Sequence, residues 1–266
     1  MTILGLSHIA FGCRDIASAT ERLAGFGYSQ RFDEPTLDNN PAKRRFLNCY
    51  HPRHHIRALA TEGAMAIELL DHGSLSGPQN ASLIPVFRSD TPCKDWQHRA
   101  LPDLPIATSG ILSLKEAFGD HITAFFDPAL SMTLLWAPSS GGPTGLCACI
   151  CPTDDQPATE QLLRELRFRR SQSGVWSLLT PLPALSARLI TTPFQATDGW
   201  TKKPLLDAPG CACLALMARE SEPSRLPIAL KATHTRFKLT VNNRTCGITL
   251  SRPEQGPIIE LIEQHS

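Results

Sequence analysis

One order of elements recurs along this chain: an apolar strand, an acidic cap, an amphipathic helix and then further strands. This order constrains the fold more than any feature of composition. "LSHIAFGCRDIASATERLAGFGY" at 6–28 is the first copy. Residues 6–13 read as a strand and Asp15 as a helix N-cap, and Ile16, Ala19 and Leu23 then fall on one helical face. Gly25 and Gly27 stand where that helix should stop. Polar, Pro-containing sequence follows over 33–43, and strands are expected at 45–50, 56–60 and 64–70.

The order then returns. Residues 82–88 are apolar, Asp90 begins a short expected helix through Trp96, and strands are expected at 121–126 and 132–137, joined through "DPALS". A third copy has a strand at 146–151 and then "PTDDQPATEQLLRELRF". There Asp154 or Asp155 caps a helix, Pro157 fits its first turn, and Leu162, Leu163 and Leu166 form its apolar face. Strands at 175–179 and 187–191 complete it. A fourth copy has strands at 211–217, 236–241, 245–250 and 258–262, with a turn at Asn242-Asn243 and a helix eroded between 221 and 228. The chain therefore reads as about four degenerate repeats of roughly 60 residues. "PSSGGPTG" at 138–145 is the best linker, which divides the chain into one pair of modules over 1–140 and a second over 145–266.

Composition excludes several partners. Lys plus Arg number 26 against 25 for Asp plus Glu, and no basic stripe stands out, so neither nucleic acid nor an anionic membrane is expected. No apolar run approaches the roughly 20 residues of a membrane span. The nine cysteines lack disulfide-scaffold spacing and the start lacks an export signal, so reduced thiols in the cytoplasm are expected. "CACIC" at 147–151 and "CAC" at 211–213 lack the two-residue knuckle of structural zinc sites and read as small buried hydrophobes. The expected partner is a small molecule, and a homo-oligomer is left open. "HPRHH" at 51–55 reads either as a solvated turn or as a loop that binds an anionic substrate. In the second reading Arg45, His54, His55 and Arg57 are the substrate-binding candidates.

His8, alone in the first apolar run, is either a core histidine satisfied by a neighbour or a metal ligand. The first repeat, together with "AMAIELLDHG" at 64–73, resembles the vicinal oxygen chelate superfamily, the glyoxalase/bleomycin-resistance/dioxygenase fold. "FFDPALSMTLLWAP" at 125–138 and "PIIELIEQ" at 257–264 look like the same family's closing strands. The resemblance implies an α+β fold of tandem βαβββ modules that form half-open β-barrel cups with helices on the outer faces. It implies a divalent metal (Zn, Fe, Mn, Ni or Co) held by His8, Glu68 and Glu260, with Glu260 as ligand or catalytic base. Strand alternation is compatible with this: His8, Ala10 and Gly12 share one face, as do Ala66, Glu68 and Leu70.

The pattern is incomplete. The second repeat offers no His near Ser82 or Leu83, and Leu134 stands at its Glu position. Cys147 occupies the His position of the third repeat, and Cys211 or Cys213 that of the fourth. This argues against dioxygenase chemistry. The expected function is that of a glyoxalase-like metal-assisted isomerase or lyase on a small oxygenated metabolite. The alternatives are a metal-free small-molecule-binding protein of the same fold, as in drug-sequestering members, and a non-catalytic scaffold. Whether the repeats pair one-two and three-four or one-four and two-three stays open at this point.

Overall fold

The computed structural model describes residues 2–73, 75–139, 141, 143–178, 180, 185–219, 226–231, 233–241 and 243–264. Asn242 of the expected turn, residues 140 and 142 of the expected linker, residue 179 and most of the eroded fourth helix lie outside them.

The first module is β1 (Thr2–Gly12), α1 (Ile16–Ala24), β2 (Ser29–Asp38), β3 (Arg53–Ala60) and β4 (Ile67–Asp71). The Asp15 side chain accepts from the Ala17 and Ser18 backbone N–H groups, and Ile16, Ala19 and Leu23 are the buried face of α1. Gly27, at φ +81°, ends the turn after α1 in the left-handed region that glycine favours. β2 was not expected from the sequence. It is a sheet edge with an exposed, polar surface, which is where a strand tolerates Pro35. Residues 45–50, expected as a strand, instead complete a 3₁₀ turn (Pro41–Phe46) and a loop.

After the two-residue β5 (Gln79–Asn80), the second module is β6 (Ile84–Ser89), β7 (Gln97–Arg99), α2 (Thr108–Phe118), β8 (Thr123–Asp127) and β9 (Met132–Pro138). Its helix is not at 90–96, where turns occur, but follows β7. The third module is β10 (Gly145–Thr153), α3 (Gln156–Glu165), β11 (Arg169–Arg170), β12 (Val175–Leu178) and β13 (Ala187–Pro193). Asp155 caps α3, with Pro157 in its first turn. After β14 (Trp200–Thr201), the fourth is β15 (Gly210–Arg219), the single turn α4 (Ile228–Lys231), β16 (His234–Val241), β17 (Arg244–Ser251) and β18 (Ile258–Gln264).

Two eight-stranded sheets result, ordered β16-β17-β18-β15-β1-β4-β3-β2 and β11-β12-β13-β10-β6-β9-β8-β7. The first joins modules one and four through antiparallel β1 and β15. The second joins modules two and three through β6 and β10. The sheets therefore do not follow the division into 1–140 and 145–266, because each takes one module from each half.

The two sheets share one core. Ile9, Phe11, Ile67 and Leu69 of the first sheet meet Phe87, Leu134, Cys149 and Leu189 of the second, with α1 and α3 supplying Leu23, Leu162 and Leu163. The side chains of Phe11 and Phe87 meet edge to face at 6.4 Å. Cys149, Cys151, Cys211 and Cys213 are buried free thiols. Each curled sheet keeps its other face for a cup. In the second cup α2 itself lies inside, where Leu114 packs on Ile84, Val86, Leu135 and Ile150. Gly110 permits that approach, since a Cβ there would stand 2.7 Å from Ile106 Cγ2 and 2.9 Å from Thr192 Cβ. The module that lacks ligand residues has filled its cup with its own helix.

Candidate metal centre

The first cup carries the chemistry. β4 lies on one side of β1 and β15 on the other, with β18 beyond β15. Ala10 stands opposite Glu68, His8 opposite Ala215, and Ala215 opposite Glu260. Cross-strand partners share a face, so His8, Glu68 and Glu260 converge over the small residues Ala10, Ala58 and Ala215. His8 Nε2 lies 3.4 Å from Glu68 Oε1 and 3.9 Å from Glu260 Oε2. One ligand atom from each residue falls within 4.8 Å of the other two.

These residues fit a divalent ion. His8 Nε2 is buried and has no hydrogen-bond partner among the described residues, while Ser7 Oγ lies 3.1 Å from Nδ1. With Nδ1–H donating to Ser7, the Nε2 lone pair faces the two carboxylates, the arrangement of a histidine ligand with an outer partner. Imidazole plus carboxylate suits Zn, Fe, Mn, Ni or Co.

The electrostatics are those of a closed, coupled cluster. Burial disfavours the charged His8 ring, but Glu68 and Glu260 outweigh it and raise its pKa. Burial would raise Glu68, but the pull of His8 and then Lys43 holds it below the ordinary carboxylate range. Burial and repulsion by Glu68 raise Glu260. Burial, with Glu260 and Glu68 nearby, raises the Cys213 thiol, which donates to Glu260 Oε2 at 3.8 Å.

The other candidates separate. His54 lies in the cup, 3% exposed, with Lys43 Nζ donating to its Nε2 at 3.4 Å. His55 and Arg57 do not join it. Both pair with Asp33, at 2.6 and 2.8 Å, and Arg57 donates to Thr20 of α1, on the helix side of the sheet. Arg45 is exposed and donates to the His234 carbonyl at 3.4 Å. Two residues in the cup were not expected: Lys43, carried in by the 3₁₀ turn, and His72. His72 was readable by alternation, two residues past Leu70 on the face of Glu68, whereas Lys43 had no periodic signal.

His54 gives a pH prediction. Burial, with the Lys43 ammonium beside it, pushes His54 down to about 3. Its folded pKa lies below its unfolded value near 6.5, so the unfolded chain binds the proton and stability falls as pH drops from about 6.5 toward 3. The expected loss from this group at pH 5 is about 2 kcal/mol. Urea unfolding at pH 7 and pH 5 measures it. His54→Asn should flatten the dependence, and an equal slope in both proteins would contradict the assignment.

No family model matches the chain, and no curated protein sequence does. Among solved structures, glyoxalase I from Zea mays superposes with a TM-score of 0.60 at 12% identity, covering 97% of this chain and 92% of that one. A protein of Bacillus subtilis subsp. subtilis str. 168, assigned provisionally as a dioxygenase, superposes with a TM-score of 0.57 at 13% identity, covering 100% of this chain and 86% of that one. Both likenesses run across all four modules. The chain has the vicinal oxygen chelate fold.

Proposed function

We propose that the cup of modules one and four is the active site of a metal-assisted isomerase or lyase that moves a proton on a small oxygenated metabolite. The observation that carries this reading is the meeting of His8, Glu68 and Glu260 ligand atoms within 4.8 Å, although β18 comes from the far end of the chain. A bound divalent ion would supply Lewis acidity to a substrate oxygen. His8 and Glu68 would hold that ion. Glu260, whose affinity for a proton is raised by burial and by Glu68, takes a proton from the substrate and returns it. The apolar wall of Ile56, Leu70, Phe237 and Leu250 excludes water from the exchange.

Elemental analysis of protein purified without an affinity tag tests the reading. About one equivalent of a divalent metal is expected in the wild type after loading, and a small fraction of that in Glu68→Gln. A wild type that takes up no stoichiometric Zn, Mn, Ni, Co or Fe would end it. The placement of the Lys43 ammonium in the same cup favours a second reading, a metal-free binding protein. That protein would be stabilised by its ligand with no response to a chelator.

A further inference from the structure

The part of the cup beyond the three ligands is polar where an apolar lining would pack better. Lys43 is 7% exposed, and its ammonium lies 5.6 Å from the centre of the Phe237 ring. Among the described residues its one hydrogen bond goes to a neutral imidazole, His54 Nε2, and no carboxylate lies within 4.0 Å of it. An ammonium has three donors, and burying it unpaired is costly. His54 in turn stacks on His72, with centroids 4.9 Å apart and planes at 12°. His72 is 2% exposed, and neither of its ring nitrogens has a partner among the described residues. A neutral imidazole carries one donor and one acceptor, so His72 holds an unmet N–H inside the cup.

These groups do not form a second cation site, because the ammonium already occupies His54 Nε2 and repels a metal. Their donors match acceptor oxygens on an anion. Lys43 supplies the charge and the imidazoles supply direction. Burial lowers the Lys43 pKa, and attraction to Glu260 and then Glu68 opposes that fall and favours the charged ammonium. The turn Pro41–Phe46 that carries Lys43 also seats Phe46 and Leu47 in the cup lining, so the segment covering the cup supplies its cation.

We propose that Lys43, His54 and His72 form an anion subsite beside the His8–Glu68–Glu260 cluster, and that the substrate is a small carboxylate-bearing metabolite. The second half rests on the catalytic reading above, and the subsite does not. Pyruvate is the probe, titrated calorimetrically into zinc-loaded and into chelator-treated full-length protein. The expected result is binding that Lys43→Gln weakens about tenfold or more and Lys43→Arg largely keeps. His72→Phe should weaken it by a smaller factor, and zinc affinity in Lys43→Gln should not fall. Pyruvate binding of equal strength in wild type and Lys43→Gln would overturn the proposal, as would no binding in either form of the wild type. A wild type that binds pyruvate through Lys43 but takes up no metal would keep the subsite and reject the metal-dependent reaction. One that binds zinc but shows no dependence on Lys43 would do the reverse.

Discussion

Replacing His8 by alanine is expected to weaken Zn²⁺ binding by about 100-fold or more, with the far-UV circular dichroism unchanged. Loss of an outer partner of a ligating histidine already costs about 10- to 100-fold, and removal of the ligand itself costs at least the upper end of that range. His8 is the middle member of the cluster, 3.4 Å from Glu68 and 3.9 Å from Glu260. Without it the buried Glu68 carboxylate and the half-buried Glu260 carboxylate face each other with no imidazole between them. Ser7→Ala should produce a smaller loss, about tenfold, because Ser7 Oγ only fixes the ring through Nδ1. Competition with a chromophoric chelator measures all three proteins. Affinities within about threefold of one another across the series would remove His8 from the site.

Asp127→Ala is expected to cost about 3–5 kcal/mol of stability and to lower the melting temperature by roughly 5–9 °C. Asp127 is fully buried between β8 and β9. Trp96 Nε1 donates to it at 2.6 Å, the Ala129 and Leu130 N–H groups donate at 2.8 and 3.1 Å, and Arg22 Nε of α1 lies at 3.0 Å. The alanine would strip an acceptor from three donors and leave the Arg22 charge, among the described residues, with the exposed Asp95 as its remaining carboxylate. Asp127→Asn keeps an acceptor but not the charge and should cost less. Urea unfolding followed by tryptophan fluorescence is the measurement. A loss below about 1 kcal/mol would show that this ion pair does not anchor module one to module two.

Local chemistry was legible wherever one short segment decides its own conformation. The Asp15 cap with the Ile16, Ala19 and Leu23 face, and the Asp155 cap followed by Pro157, depend on neighbours a few residues apart. Alternation along β1 and β4 likewise sorted His8 and Glu68 from Ile9 and Ile67. The same reasoning failed where tertiary packing overrides propensity. β2 is a polar edge held by pairing with β3, and residues 45–50 end a turn and continue as a loop, with Phe46 lining the cup. α2 leaves the helix position of its repeat to fill the second cup.

Which modules pair was not legible, because β1 and β6 both present apolar edges. Only the register of β1 on β15 and of β6 on β10 decides it. That register converts a His and two Glu residues from modules at opposite ends of the chain into one cluster. It also sends His54 into the cup and turns His55 and Arg57 toward Asp33, one residue apart in strand alternation. The sequence by itself determined which side chains share a strand face, since that follows from backbone geometry with a period of two. The tertiary structure alone decided which faces meet, since that depends on how strands distant in the chain pair.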